Sequence, residues 1–179
     1  MRSVNRAVMA VMLAGLSVFL LGGGCMMAME LKSDNFKNGK YIPVKHTGQG
    51  ADVSPQLSWD NVPDRTKSFA LICDDPDAPG GEWVHWVVYD IPAFINELDE
   101  FAPHNDILDN GIKQGKNDFG KIGYGGPMPP PGRAHRYFFK LYALDDVLGL
   151  PAGARKDQLE KAMQGHILAE ARIMGLYKR

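Results

Sequence analysis

Two histidines, two aspartates and a tyrosine, spread over three short segments, are the residues of this chain best suited to chemistry. Asp75-Pro76-Asp77-Ala78-Pro79 holds two carboxylates in a stretch that prolines stiffen by fixing φ and removing backbone donors. Trp83-Val84-His85-Trp86 sets an imidazole between tryptophans, and strand alternation places Trp83 and His85 on one face. His135-Arg136-Tyr137 follows the run Gly125-Gly126-Pro127-Met128-Pro129-Pro130-Pro131-Gly132. A neutral imidazole offers one N–H donor and an imidazolium two, so His85 and His135 suit the gripping of an oxyanion, with the Tyr137 O–H as a further donor. A bare carboxylate would repel such a ligand. Asp75 is therefore expected to orient and charge a histidine. Alternation turns Arg136 away from His135, toward an ion pair with Asp77 that braces the loop. Singly, each segment has a plainer use: an Asp-Pro turn, a satisfied strand histidine, a rigid proline loop.

These residues can meet only if strand ends and stiff loops carry them. Residues 68–73 read as a buried strand stopped by Asp74-Asp75-Pro76. Residues 83–91, rich in Val, Trp and Tyr, read as a second strand ended by Pro92, and residues 136–144 as a third with central aromatic content. Between the last two runs a connection of about 45 residues, of the length that usually carries function. Residues 42–47 and 57–59 look like short edge strands. Leu159, Ala162 and Met163 have helical spacing over 156–164, with Gly165 as the stop. Ala154 and Arg155 stand where a capping Ser, Thr or Asp is expected. In residues 167–177, Ile167, Ala169, Ala171 and Ile173 alternate with polar positions, which predicts a strand although a continued helix has the same residues.

The whole chain has 179 residues, 45% hydrophobic and 23% charged, which supports one domain with a real core. A net charge of −1 removes any bulk electrostatic case for nucleic-acid binding. Two cysteines exclude a disulfide framework and a four-cysteine zinc site. Arg2 and Arg6, an uncharged apolar stretch over 7–21 and Gly22-Gly23-Gly24-Cys25 make residues 1–28 an export or lipoprotein signal. Cleavage before a lipidated Cys25 and ordinary cleavage near Ala28 are both open, as are a retained anchor and a start at Met29. The chain is thus expected to be exported, as a bacterial periplasmic or membrane-anchored protein, and to touch membrane only through lipid on Cys25. Cys73, inside an apolar run, reads as a buried small hydrophobe.

Together the segments Asp75–Pro79, Trp83-x-His85, Gly123-Tyr124-Gly125-Gly126-Pro127 and Gly132-x-x-His135-Arg136-Tyr137 resemble the phosphatidylethanolamine-binding protein family, in its bacterial, Raf-kinase-inhibitor-like branch. Asn117-Asp118-Phe119-Gly120 and Gly165-His166-Ile167-Leu168-Ala169 fit the same branch. The resemblance spans residues 30–179 and implies a single-domain, mostly β fold, a β-sandwich with peripheral helices. It further implies a pocket lined by Asp75, His85, His135 and Tyr137, with Pro79 and the Gly126-Pro127 loop as walls, and with Asp77, Trp83 and Arg136 in support. Family pockets of this kind take phosphate-like groups, phosphorylated head groups or carboxylates. Met128 departs from the Cys or Pro often found in relatives, which changes the rim.

The leading expectation is a non-enzymatic module for small anionic or phosphorylated ligands, with no cofactor. A hydrolase using Asp75, His85 and His135 as a metal site is the alternative, weakened by the lack of a compact His-x-His, His-Glu-x-x-His or Gly-x-Ser-x-Gly pattern. Inhibition of a kinase or protease is a third, suggested by the family name alone. His46 is expected at an exposed strand position, His104 in a polar loop and His166 at a helix end; Trp59 has no assigned place.

Overall fold

The computed structural model describes residues 27–179; most of the leader, and Cys25 with its tentative lipid, lie outside the described residues. In chain order the strands are β1 (Glu30–Lys32), β2 (Lys40–Tyr41), β3 (Leu57–Asp60), β4 (Ser68–Asp75), β5 (Trp83–Pro92), β6 (Glu97–Leu98), β7 (Lys113–Gln114), β8 (His135–Leu144) and β9 (Ile167–Tyr177). One α-helix, α1 (Lys156–Met163), lies among the described residues. The long apolar segments build a six-stranded sheet in the order β2-β9-β8-β4-β5-β7, and short ones a three-stranded sheet, β1-β3-β6. Every pairing is antiparallel except β2 with β9.

β4 is buried along its whole length because the large sheet is covered on both faces. Phe69, Leu71, Cys73, Trp86, Val88, Tyr137, Phe139 and Leu141 meet Leu31, Leu57 and Trp59 of the small sheet. Ala70, Ile72, Val84, Val87 and Tyr89 meet Leu159 and Met163 of α1. Full burial of such a side chain stabilises by about 1.5–3 kcal/mol, so a strand that flipped its faces would lose many times that. The facing of the core residues therefore also dictates where the strand-end residues point.

The three central strands, the helix and the final strand stand where their patterns predict, each within one or two residues. The expected edge strand over 42–47 does not form. Pro43 instead leads into a single 3-10 turn, Val44–His46, which the Thr47 hydroxyl closes by donating to the Val44 carbonyl at 2.9 Å. Ile42, His46 and Thr47 are the buried residues there, which is no two-residue period. His46 is accordingly buried, its Nδ1 3.0 Å from the Val53 carbonyl oxygen, and not exposed as its pattern suggested. Trp59 stacks edge-on against Phe69 in the core. The poor helix cap is mended by Gln158, whose side-chain oxygen accepts the Arg155 N–H at 2.9 Å. His166, beyond α1, pairs with Asp145 at 2.9 Å.

Candidate functional site

Strand order and one bulge assemble the site. β8, β4 and β5 are neighbours, and their ends bring His135, Asp75 and His85 to one end of the sheet. On β8, Tyr137, Phe139 and Leu141 face the small sheet, and His135 keeps their alternation. On β5 the alternation breaks. Cys73 pairs with Trp86 but Asp74 with Val84, leaving His85 as the extra residue of a bulge. Val84 and Val87 lie on the helix side while Trp86 lies on the other. A regular strand would put His85 beside Val87, under α1. The bulge turns the imidazole to the opposite face, edge-on to Tyr137 at 5.2 Å between ring centres.

Each polar group then has a defined role. His135 Nδ1 donates to Asp75 Oδ2 at 2.8 Å, and the Asp77 N–H donates to Asp75 Oδ1 at 2.8 Å. Both carboxylate oxygens are engaged, and the bonding partner places a proton on His135 Nδ1. His85 Nδ1 lies 2.5 Å from the Gly125 carbonyl oxygen, an acceptor, so that nitrogen also carries its proton. Burial pushes the His85 pKa below its usual 6.5, outweighing the Gly125 bond and the Asp75 charge that favour the cation. At neutral pH the ring is uncharged and its Nε2 is a lone pair. Among the described residues the buried Tyr137 hydroxyl has no partner within hydrogen-bond distance, although the Asp75 carboxylate nearby draws on its proton. Burial, and secondly the Asp75 charge, push its pKa well up, so the phenol keeps its proton.

Loops close the site around these groups. Asp77 accepts two bonds from the Arg136 guanidinium, both at 2.9 Å, and one from the Arg136 N–H at 3.0 Å, tying the β4–β5 turn to the start of β8. That guanidinium holds the Asp77 carboxyl down at about 2. Across the site, Asp118 exchanges two bonds with Val84: its carboxylate accepts the Val84 N–H at 2.7 Å and its own N–H reaches the Val84 carbonyl at 3.0 Å. Asn117 locks the same loop internally, donating to the Gly123 carbonyl at 2.9 Å and accepting the Lys121 N–H at 3.0 Å. Phe119 is thereby held edge-on to both Trp83, at 5.5 Å, and His85, at 5.3 Å.

The result is a hollow of about 300 Å³ lined by Asp75, His85, His135 and Tyr137 on its polar side. Ala78, Pro79, Gly80, Trp83, Phe119, Met128, Pro129 and Pro130 complete the lining. Asp75, Pro79, His85, His135 and Tyr137 thus converge as the motifs anticipated, and Asp77 with Arg136 braces the turn. Two expectations need correction. Gly126 and Pro127 are not walls of this hollow. The Gly126 N–H donates to Asp52 at 2.6 Å and the Pro127 carbonyl accepts the Gly48 N–H at 3.0 Å, so both are pinned behind the wall that Met128 to Pro130 form. Trp83 is part of the lining and not only a support. Phe119 is a wall residue that the motifs do not assign; its signal in the sequence is an aromatic side chain in the polar run Asn117-Asp118-Phe119-Gly120. Among the described residues no three His, Cys, Asp or Glu side chains are grouped so as to hold a metal ion. The Nδ1 atoms of both site histidines are already spent on protein acceptors.

A family model described as phosphatidylethanolamine-binding protein matches residues 32–178. The chain belongs to that family. The chain is 52% identical over 170 residues to a UPF0098 protein of Aquifex aeolicus, covering 94% of this chain and 97% of the relative. A UPF0098 protein of Methanothermobacter thermautotrophicus is 52% identical over 151 residues, 84% of this chain and 99% of that one. Among solved structures, a phosphatidylethanolamine-binding protein homologue from Chlamydia trachomatis superposes with a TM-score of 0.78 at 43% identity, covering 85% of this chain and 98% of its own. YbcL of Escherichia coli, a member of the mammalian family, gives 0.79 at 35% identity, over 86% and 99%. These likenesses agree with the mostly β, single-domain architecture described above.

Proposed function

We propose that this family member is a non-enzymatic binding module that holds a small oxyanion, a phosphate monoester or a carboxylate, in the hollow between Asp75, His85, His135 and Tyr137. The observation that carries the reading is the Tyr137 hydroxyl, a buried donor without a partner in the wall of the hollow. Buried polar groups are otherwise almost always paired, and an orphan O–H beside two imidazoles is a place prepared for an acceptor. The lining supplies no serine, threonine or cysteine for covalent chemistry. Its apolar half suits a ligand whose anionic group carries a hydrocarbon or aryl substituent.

The test is titration calorimetry with phenyl phosphate on the parent and on Tyr137→Phe. Because the hydroxyl has no partner within hydrogen-bond distance among the described residues, its loss should change thermal stability little. Losing a hydrogen bond to a charged ligand, about 1.5–3 kcal/mol, should weaken binding roughly 10- to 100-fold. Equal affinity in the two proteins overturns the reading.

A further inference from the structure

The charge balance of the hollow constrains its ligand further. Among the described residues no lysine or arginine lines it, and one carboxylate does. Arg136 and the more distant Arg133 are directed at Asp77. The charges that face His85 from the surrounding elements are all acidic: Asp75 from β4, and Asp52 and Asp118 from the flanking loops. His135 is bound to the Asp75 carboxylate and the His85 ring is uncharged, so the polar side of the hollow carries no net positive charge to offset an arriving anion. Its donors toward a ligand are then reduced to the Tyr137 O–H, because His85 and His135 have each turned an N–H to a protein acceptor. What remains of His85 toward the ligand is the Nε2 lone pair, an acceptor, and an acceptor facing an oxyanion needs a proton between them.

We propose that the hollow takes its oxyanion together with one proton, so that its ligands are oxyanions able to carry that proton themselves, phosphate and phosphonate monoesters, and sulfate monoesters are disfavoured. This rests on the anion-binding reading above and narrows it. A phosphate monoester near neutral pH can keep one O–H, which donates to His85 Nε2 while another of its oxygens accepts from the Tyr137 O–H. The proton stays on oxygen or moves to Nε2; in either case atoms and charge balance, and one proton is taken from solvent whenever the free ligand was the dianion. A sulfate monoester has no such O–H. Its proton must sit on an imidazole, and at His85 that means charging a ring enclosed by Phe119 and Tyr137. The neutral, Nδ1-protonated state of that ring is what makes the two esters unequal.

The experiment is calorimetry with phenyl phosphate and phenyl sulfate at pH 7.5, in two buffers of different ionisation heat, repeated at pH 6.5 and 8.5. The aryl group, common to both probes, keeps contact with the apolar wall. We expect phenyl phosphate to bind at least tenfold more tightly, with net proton uptake, and its affinity to fall about tenfold per pH unit once the free ester is the dianion. His85→Gln, which offers an amide N–H without titrating, should flatten the pH dependence and narrow the phosphate-to-sulfate ratio. Equal affinities for the two esters, or binding without proton uptake and without pH dependence, overturn the inference and leave the oxyanion site standing. If neither ester binds at any pH, the anion-binding reading falls, and this inference with it.

Discussion

Gly125 joins the two halves of the site, and replacing it with alanine tests that geometry. Its carbonyl receives the His85 N–H, and its N–H donates back to the His85 carbonyl at 2.9 Å. Its φ is not in the left-handed region, so the backbone tolerates a Cβ. The obstacle is a neighbour: a Cβ there would stand 2.7 Å from Cδ2 and 2.8 Å from Cε2 of Phe119. Ordinary contact begins at 3.4 Å, so the ring must retreat by at least 0.7 Å, the difference between 3.4 and 2.7. Overpacking of this kind costs about 1–3 kcal/mol. Phe119 is 42% exposed and can swing outward, which places the cost near the lower bound. For a domain of this size that is a fall in Tm of about 2–4 °C. The swing also removes the edge-on contacts of Phe119 with Trp83 and His85, each of a type worth ~0.5–1.5 kcal/mol. Phenyl phosphate affinity should therefore drop several-fold, while inorganic phosphate, which has no aryl group to rest on that wall, should bind nearly as before. Calorimetry on the single variants and on Gly125→Ala/Phe119→Ala supplies the decisive comparison. With the ring gone the added methyl keeps an ordinary contact with Asn117 Nδ2 at 3.4 Å, so the double variant should be more stable than the summed losses imply, by ~1 kcal/mol. Strict additivity, or an unchanged Tm in Gly125→Ala, would refute the placement of Phe119 against the Gly125 loop.

Other consequences follow from the same contacts. Arg136→Ala, which leaves Asp77 without its guanidinium, should lower Tm by about 2–4 °C and change phenyl phosphate affinity by less than twofold, because Arg136 lies outside the lining; full stability with lost binding would reverse that assignment. Acid should destabilise the fold in two stages that a urea-unfolding series against pH can separate. His85 has a folded pKa below 6.5, so the unfolded chain binds the extra proton and stability declines as pH falls beneath that value. Asp77, held at about 2 against 3.8 when free, contributes stability that is complete above pH 4 and lost as pH falls through 2. A single loss confined to the region below pH 4 would contradict the neutral state of His85. In a Cys25→Ser variant, Cys73 should resist a thiol-specific disulfide reagent at pH 8 until denaturant is added, since burial, and then Asp74 and Asp75, raise its pKa well above the usual value; rapid native-state labelling would show the core to be open there.

Much of this was visible in residue order. The runs around Leu71, Val87 and Phe139 state their strands, because residues buried on both faces leave long apolar stretches. The alternation of Ile167, Ala169, Ala171 and Ile173 chose strand over helix correctly, as the register with β8 requires. Rigid Asp-Pro chemistry marked the turn after β4, and the spacing of Arg136 from His135 foretold its pairing with Asp77. Short strands were harder. β2, β6 and β7 have two residues each, too few to show a period, and they exist because longer strands offer them free edges. At 42–47 local pattern misled, since a buried histidine satisfied by Val53 breaks the alternation on which the expectation rested.

The chain's residue types and their intervals determined by themselves which groups could form a site: two imidazoles, a carboxylate and a phenol at the ends of strands that had to be neighbours. Only the tertiary structure decided which way His85 points, which tautomer each histidine adopts and which loop residues become walls. A bulge is a relation between two strands and not a property of either. A tautomer is set by the partner of the other nitrogen, here Gly125 and Asp75, 40 and 60 residues away in sequence. Gly126 and Pro127 sit behind the wall, and Phe119 on it, because Asp52, Gly48 and Val84 hold those loops from a distance. Such contacts arise when the chain packs against itself, and no local stretch of sequence contains them.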